Sequence, residues 1–329
     1  MKLKHCLLAL LVMLIAASCT QDDSARPDSP AEKYVVSLAL GGEISATDEP
    51  LARSNSTNDL YGINVYYDKE GDGNINDIYG YGLFDNVDDM MIELLSSHKY
   101  RFDCTLVKDG KTTLYYGTAN NSSYSGYLAP FNLINNSNKP TLLENKFILG
   151  TDKYFRSFEN GDVRLAGSMS STSYPSINRF YGKLADYIPT QGSVAMISLK
   201  RVVFGAKFIV TGVHGGTLKV DSDFWDFSVT EDYESEERIF TFPNVYDCFN
   251  ETPITQKITL KYDDDSGSSN DLSLTESVTF KRNTLTTITI NVSQKSGISI
   301  SEESWGEDNL IELEINADGV IDTPVVPNE

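Results

Sequence analysis

Hydrophobic and polar residues alternate at a period of two in residues 60–67 (LYGINVYY), a stretch rich in aromatic and β-branched side chains. Many other short runs carry strand-forming composition between turns of Gly, Asn and Asp. No run of about 12 residues repeats at helical spacing between caps. The chain is therefore predicted to be all-β and built from sandwiches. Besides 60–67, strands are predicted at residues 34–40, 78–84, 90–95, 100–107, 112–116, 147–149, 194–201, 203–210, 217–220, 238–242, 257–262, 277–281, 284–292, 298–301 and 310–315.

The first residues follow a different pattern, that of a secretory leader. Lys2 and Lys4 precede an unbroken apolar run at residues 6–17, and three small residues (Ala-Ala-Ser, 16–18) stand directly before Cys19. A charged start, a short apolar region and a small-residue cleavage site define a signal peptide. The apolar run is shorter than the roughly 20 residues that a membrane-spanning helix needs.

The position of Cys19 resembles a bacterial lipobox, although Ala16 stands where leucine is more usual. The resemblance implies cleavage between Ser18 and Cys19 and a lipid on Cys19. Residues 20–23 (TQDD) resemble the acidic tag that sends Bacteroidetes lipoproteins to the outer face of the outer membrane. The alternative is an ordinary secreted protein with a chance cysteine at this position.

The net charge of the chain disfavours two classes of binding partner. The chain carries 47 Asp and Glu against 27 Lys and Arg, a formal net charge of −20. Nucleic-acid binding draws on basic patches that displace counterions, so the charge disfavours it. Attachment to anionic lipid through charge is disfavoured for the same reason.

Cysteine and histidine content argues against a disulfide scaffold and against zinc. Cys104 and Cys248 fall in apolar or aromatic neighbourhoods, which favours buried free thiols over a disulfide between them. Beyond the leader the histidines are His98 and His214, with no partner at ligand spacing.

Calcium is the one metal for which the sequence offers a candidate site. Oxygen side chains recur at alternate positions of residues 68–76 (DKEGDGNIN), with glycine sixth and isoleucine eighth as in an EF-hand loop. The twelfth position holds Tyr79 instead of glutamate, and the flanks are predicted strands. The alternative is a solvated acidic turn at a hairpin tip. The candidate ligands are Asp68, Glu70, Asp72 and Asn74.

Catalytic motifs are missing from the sequence. It contains no Gly-x-Ser-x-Gly elbow, no Walker loop and no dinucleotide fingerprint, so neither an enzyme nor a cofactor is predicted.

Composition divides the chain into a leader, a tether and two domains. Residues 1–18 form the predicted signal peptide, and the polar, Pro-containing residues 19–32 a flexible tether. Residues 33–191 and 192–329 are the predicted N-terminal and C-terminal β-sandwiches, divided near Gln191 and Gly192 at the end of an aperiodic stretch.

Three stretches together resemble the fimbrillin family of Bacteroidetes type V pili. They are Arg53 followed by residues 60–67, residues 197–208 (ISLKRVVFGAKF), and residues 280–292 (FKRNTLTTITINV) followed by Trp305. With the lipobox, the resemblance spans nearly the whole chain, except for its asparagine-rich middle.

The resemblance implies two tandem transthyretin-like Greek-key sandwiches with a role in assembly. In polymerising members an arginine-directed protease cuts the loop after the first strand; the matching residue here is Arg53. The cut would remove residues 34–40 together with lipidated Cys19 and open a groove for a strand from a neighbouring subunit. The implied donor is residues 310–315, with 320–326 as an extension. The alternative is an ordinary last strand within its own domain.

Three functions remain open at this point. The chain is a stalk or tip subunit of an adhesive fimbrium cut at Arg53, an anchor subunit that keeps its lipid in the outer membrane, or a surface glycan-binding lipoprotein. A glycan-binding protein would use aromatic platforms, for which Trp225 and Trp305 are the available tryptophans. Other fimbrial subunits and a surface receptor are the expected partners.

Overall fold

The computed structural model describes residues 32–43, 58–118, 121–134, 139–156, 158–166, 172–263, 272–292, 300–304 and 307–313. That part of the chain is almost entirely β-strand, which confirms the predicted all-β class. None of its helices is long or apolar enough to cross a membrane. The leader, Cys19, Arg53 and Trp305 lie outside the described residues.

The first part of the chain forms an eight-stranded sheet and a separate hairpin. The sheet strands are β1 (Lys33–Gly42), β2 (Leu60–Tyr67), β3 (Asp77–Phe84), β4 (Met91–Leu95), β5 (Tyr100–Val107), β8 (Lys146–Leu149), β9 (Arg179–Tyr187) and β10 (Val194–Arg201). In space the sheet runs β4-β1-β10-β9-β5-β2-β3-β8. Its two ends, β4 and β8, also contact each other, so the sheet curls around its core. The hairpin strands are β6 (Tyr115–Thr118) and β7 (Asn121–Tyr127).

The boundary between the two units lies after strand β10, later in the chain than the sequence predicts. The sequence places the boundary near Gln191 and Gly192, but β10 follows these residues and pairs with both β1 and β9 of the first sheet. The chain therefore leaves the first sheet after Arg201. Composition misses this point because Arg201 and Val203 lie in one continuous strand-like run.

Two short helical segments lie among the strands of the first unit. A 3₁₀ turn spans Val87–Asp89, and the helical turn α1 spans Gly110–Thr113. The latter falls where a strand is predicted at residues 112–116. The helical turn forms because the Thr112 and Thr113 hydroxyls donate to the Asp109 carbonyl at 2.9 Å, and only residues from Tyr115 onward remain extended.

Alternate residues of the strands point inward and form one hydrophobic cluster. It includes Ile63 and Val65 of β2, Phe102 and Cys104 of β5, and Ile197 of β10, all fully buried. This is the outcome that the period-two pattern predicts for a sheet with one face on a core.

The outer face of β2, β3, β5 and β9 is covered by the irregular middle of the chain. Phe131 and Phe158 lie so close above β2 that a Cβ on Gly62 would come within 2.7 Å and 2.8 Å of their rings, which explains a glycine in this strand. Polar bonds fix the cover: Phe155 donates its N–H to Asn64 Oδ1 at 2.8 Å, and Arg179 donates to the Phe158 carbonyl at 2.8 Å. The aperiodic aromatics of the middle segment are thus a second layer on the sheet.

The second unit is a sandwich of two four-stranded sheets. Its elements are β11 (Val203–Thr211), β12 (Thr217–Asp221), β13 (Phe227–Val229), β14 (Tyr233–Glu234), β15 (Arg238–Thr241), the helix α2 (Val245–Phe249), β16 (Ile254–Asp263), β17 (Leu272–Phe280) and β18 (Leu285–Asn291). In one sheet, β11 lies between β18 and the strands β14 and β15; the other sheet runs β13-β12-β16-β17. Phe204 of β11 and Phe280 of β17 join the two sheets with ring centroids 4.6 Å apart.

A last hairpin of β19 (Ile300–Ser304) and β20 (Glu307–Leu313) forms a two-stranded ladder, and β19 lies beside β18 of the second sandwich. Its antiparallel register pairs Glu302 with Ile311 and Ile300 with Leu313. Of the strand predicted at residues 310–315, residues 310–313 are therefore extended, and 314–315 lie outside the described residues.

Candidate functional site

The first strand of the chain is inserted between two strands that come later in the sequence. β1 pairs in parallel with β10, from Ser37 opposite Val194 to Gly42 opposite Leu199. On its other side it pairs antiparallel with β4, from Lys33 opposite Leu95 to Ser37 opposite Met91. A segment at the start of the chain thus completes a sheet that the rest of the unit would leave interrupted.

The inward residues of β1 fill the core beside those of its neighbours. Val36 and Leu38 are buried, with exposed fractions of 0% and 3%. Val36 lies opposite Ile92, and Leu38 lies opposite Ala195. Burying side chains of this size contributes roughly 1.5–3 kcal/mol each. Without β1 the site would be an apolar groove bordered by the backbone edges of β4 and β10, which is a template for another strand.

This groove would be lined by side chains of the hydrophobic cluster inside the first sheet. They are Ile92, Leu94, Ala195, Ile197 and Leu199.

An ion-pair cluster closes the C-terminal end of β1. Glu43 follows the strand directly, and Arg282 Nη1 donates to its Oε1 and Oε2 at 2.9 Å and 2.7 Å. The backbone N–H of Arg201 donates to the same Oε2 at 2.8 Å. One carboxylate therefore ties the end of β1 to the junction after β10 and to the turn between β17 and β18.

Glu251 completes this cluster from the end of α2. Arg282 Nε and Nη2 donate to Glu251 at 3.1 Å and 3.0 Å, and Lys200 Nζ donates to it at 2.6 Å. Partial burial opposes ionisation of Glu251, but the hydrogen bonds from Arg282 and Lys200 outweigh it and lower its pKa. Desolvation likewise opposes the charge on Arg282, and the bonds to Glu251 and Glu43 raise its pKa in spite of it.

The outer face of β4, β1 and β10 is uncovered, unlike that of the other half of the sheet. Val35, Met91, Val194 and Met196 are each more than half exposed. They stand on three adjacent strands, so they form a continuous apolar strip that includes β1.

Cys19 and Arg53 fall outside the described residues, so their lipidation and cleavage stay predictions. Arg53 lies in residues 44–57, which connect β1 to β2. Of the implied donor, residues 310–313 belong to β20, while 314–315 and 320–326 are outside the described residues. Donation of this strand to a neighbour stays a prediction.

The acidic loop between β2 and β3 is a hairpin tip, as its flanks predict. Asp68 Oδ2 accepts from the Gly73 N–H at 2.9 Å, Asp72 Oδ1 accepts from the Asn74 N–H at 2.8 Å, and the Asn74 side-chain oxygen accepts from Asn76. Glu70 is exposed. Within the described ranges, no group of three or more His, Cys, Asp or Glu is placed to hold a metal. Calcium binding at Asp68, Glu70, Asp72 and Asn74 stays a prediction.

A second polar cluster lies beneath the cover of the first sheet. Asp103 is 3% exposed, and its Oδ1 lies 3.4 Å from Arg101 Nε. Burial raises the pKa of Asp103 to about 6, although the charges of Arg101 and Lys183 lower it.

Two predicted features of single residues can be compared directly with the structure. Cys104 and Cys248 are both buried and free, and burial raises the pKa of both thiols. Trp225 is only 7% exposed and packs edge-on to Phe208 with centroids 5.2 Å apart. It belongs to the core of the second sandwich and offers no platform for a sugar.

The sequence does not predict that Glu43 and Arg282 form an ion pair. The two residues are separated by 239 positions, and no local spacing connects them. A complementary pair of charges beside a predicted strand end and a predicted turn was the only signal.

Comparison with known proteins gives similarity at the level of solved structures. No protein-family model matches the chain, and no curated protein matches it either. A fimbrial assembly protein from Parabacteroides distasonis is 12% identical over 85% of this chain and 99% of its own, with a TM-score of 0.34. The tip fimbrial protein Mfa3 from Porphyromonas gingivalis is 8% identical over 83% of this chain and 100% of its own, with a TM-score of 0.33. Neither similarity assigns a role to any residue of this chain.

Proposed function

We propose that this chain is a structural subunit of a cell-surface fimbrium, exported as a lipoprotein and assembled by strand exchange after cleavage near Arg53. The observation that carries the proposal is the position of β1. It is the first strand of the chain, it is buried between β4 and β10, and it is connected to the rest of the sheet through the segment that contains Arg53.

Cleavage at Arg53 would turn β1 into a separate segment held by noncovalent contacts alone. These are the two ladders, the side chains of Val36 and Leu38, and the Glu43 ion pairs. While β1 is covalently attached, its high effective concentration excludes a competing strand. After the cut, a neighbour's strand competes for the same hydrogen bonds and the same apolar groove.

The donor in this proposal is the C-terminal segment that begins with β20. In residues 310–315 (LIELEI), apolar and acidic side chains alternate from Ile311 onward, as in a strand with one face in a groove. Within the described residues β20 forms a ladder with β19, and β19 lies beside β18 of the second sandwich, so donation to a neighbour requires β20 to separate from β19.

Assembly, rather than catalysis, is the activity proposed. The lipid on Cys19 delivers the precursor to the outer membrane, and loss of β1 releases the subunit into a fibre whose partners are other fimbrial subunits. The resemblance to the fimbrillin family supports this role in assembly and an adhesive role at the surface. It is carried by Arg53 with residues 60–67, by residues 197–208, and by residues 280–292 with Trp305.

An anchor subunit is the second candidate. Here the Arg53 segment stays intact and β1 remains in the sheet, where the observed ladders and the Glu43 ion pairs hold it. Through residues 20–32, β1 would then connect the fibre to a lipid on Cys19. Glycan binding ranks below both, since Trp225 is buried.

A disulfide that locks β1 in place tests the proposal. Ser37 and Met91 are register partners on the exposed face of β1 and β4. Directly opposite residues of antiparallel strands have Cα separations of about 4.5–5.5 Å, within reach of a disulfide. The variant Ser37→Cys/Met91→Cys holds β1 covalently after the Arg53 segment is cut.

We expect the unmodified protein, treated with an arginine-specific protease, to form a ladder of SDS-resistant oligomers. The locked variant should be cut equally but remain monomeric until a reductant is added. The two single-cysteine variants control for the substitutions, and Arg53→Ala controls for cutting elsewhere. Oligomers from the oxidised, locked variant, or none from the unmodified protein, would overturn the proposal.

A further inference from the structure

The structure assigns to Arg282 the recognition of a carboxylate on the incoming donor strand. This inference rests on the proposed function and specifies the chemistry of the partner strand. The partner is a strand parallel to β1 that carries an acidic residue three positions after its last inward apolar residue.

The site is built by contacts that β1 itself makes. Arg282 has a side-chain exposure of 12%, and it divides its donors between Glu43 and Glu251. Glu43 lies on the segment that would depart with β1, whereas Glu251 follows α2 and would remain. When β1 leaves, Arg282 Nη1 loses a carboxylate that accepts from it at 2.7 Å and 2.9 Å.

Charge at the vacated end of the groove would then be positive. The side chains of Lys200 and Arg282 bind Glu251 here, and Arg282 and the backbone N–H of Arg201 bind Glu43. Without Glu43, the two cationic side chains of Lys200 and Arg282 face one carboxylate, that of Glu251, within a chain whose net charge is −20. A carboxylate that replaces Glu43 regains charge-assisted hydrogen bonds, which are about twice as strong as neutral ones.

The C-terminal segment of this chain carries that pattern. In β1 the inward residues Val36, Leu38 and Leu40 are followed by Glu43. In the tail the apolar residues Ile311, Leu313 and Ile315 are followed by Asp318 at identical spacing. Laid onto β1 in parallel, the tail of a second copy places Asp318 at the Glu43 position, and Glu312 at the exposed position of Ser37.

This register also leads to a second, independent prediction, which concerns the position of Gly42. Ala317 aligns with Gly42, which has a φ of +88° and where an added Cβ collides with the Leu199 carbonyl. The register therefore requires that Ala317→Gly tighten binding of the donor segment, since glycine adopts this backbone conformation without strain.

The test uses the leaderless protein cut at Arg53 and synthetic peptides that span residues 307–329. Displacement of a labelled β1 peptide measures the affinity of each. We expect Asp318→Asn to weaken binding about 10- to 100-fold, the range for a lost hydrogen bond between charged groups. Asp322→Asn changes the net charge equally four residues away and should change the affinity by less than about twofold.

A protein variant identifies the partner of Asp318. With Arg282→Gln in the cut protein, the native and Asp318→Asn peptides should bind with nearly equal affinity, as a double-mutant cycle requires when the two residues interact. The melting temperature of uncut Arg282→Gln controls for folding. If native and Asp318→Asn peptides displace β1 equally from the unmodified protein, this inference fails while strand exchange stands. If no peptide displaces β1, the proposed function fails as well.

Discussion

At the scale of single residues, β1 shows which environments a sequence reveals. The strand-forming composition of residues 34–40 indicates a strand, and the structure buries Val36 and Leu38 while leaving Val35 exposed. The ion pair between Glu43 and Arg282 could not be predicted, because a contact across 239 positions depends on the fold that brings the chain ends together. The local sequence thus indicates where a strand lies, whereas the partner of a charged side chain depends on the tertiary structure.

Truncating Leu38 measures how firmly β1 is held. Leu38→Ala should lower the free energy of unfolding by about 2–5 kcal/mol, the range for a buried leucine that leaves a cavity. Val35→Ala, on the exposed face of the same strand, should change it by less than about 0.5 kcal/mol. Urea denaturation of the uncut protein measures both. Equal effects of the two substitutions would contradict the placement of β1.

Asp103 should make stability depend on pH in an unusual direction. Burial raises its pKa from 3.8 to about 6, so the folded state favours the protonated form. The stability that protonated Asp103 gives the folded state is therefore fully present below pH 3.8 and is lost as the pH rises through about 6. A difference of this size corresponds to about 3 kcal/mol at neutral pH.

The variant Asp103→Asn removes this titration. Relative to the unmodified protein, it should be of similar stability near pH 4 and more stable at pH 7. Urea denaturation at both values measures the difference. If the substitution lowers the free energy of unfolding at pH 7 and does so less at pH 4, pairing of Asp103 with Arg101 outweighs the burial of the charge, and the prediction is wrong.

At the scale of elements, strands with a clear alternation are predicted and irregular segments are not. The hairpin of β2 and β3 around the acidic loop follows from its pattern. The aromatic cover of the first sheet shows no periodicity, because Phe131, Phe155 and Phe158 are held by non-local packing and by bonds to Asn64 and Arg179. The unit boundary near Gly192 fails for a related reason, since only strand pairing assigns β10 to the first sheet.

Trp225 provides a test that separates a core role from a binding role. It is buried among Phe208, Phe227 and Phe240. Trp225→Ala should therefore lower the free energy of unfolding by about 3–5 kcal/mol. The conservative Trp225→Phe should retain most of that stability. If native protein is retarded in gels that contain a soluble polysaccharide and a folded Trp225→Phe variant is not, Trp225 binds glycan and the core assignment is incomplete.

At the scale of the whole molecule, the ends of the chain carry the proposed function and the two sandwiches support them. β1, near the start, completes the first sheet, and its Glu43 reaches Arg282 of the second sandwich. The C-terminal segment repeats the spacing of β1 in its apolar and acidic residues. A subunit that loses one end and donates the other adds to a fibre without changing its core, which is why retention or loss of residues 19–53 decides between a stalk and an anchor.

N-terminal sequencing of the protein isolated from the cell surface tests this most directly. If the chain is a polymerising subunit, the first residue of the assembled protein is Ser54, immediately after Arg53. A blocked N-terminus at an acylated Cys19 in the assembled protein would contradict cleavage and strand exchange, and would make the chain an anchor or a lipoprotein outside any fibre.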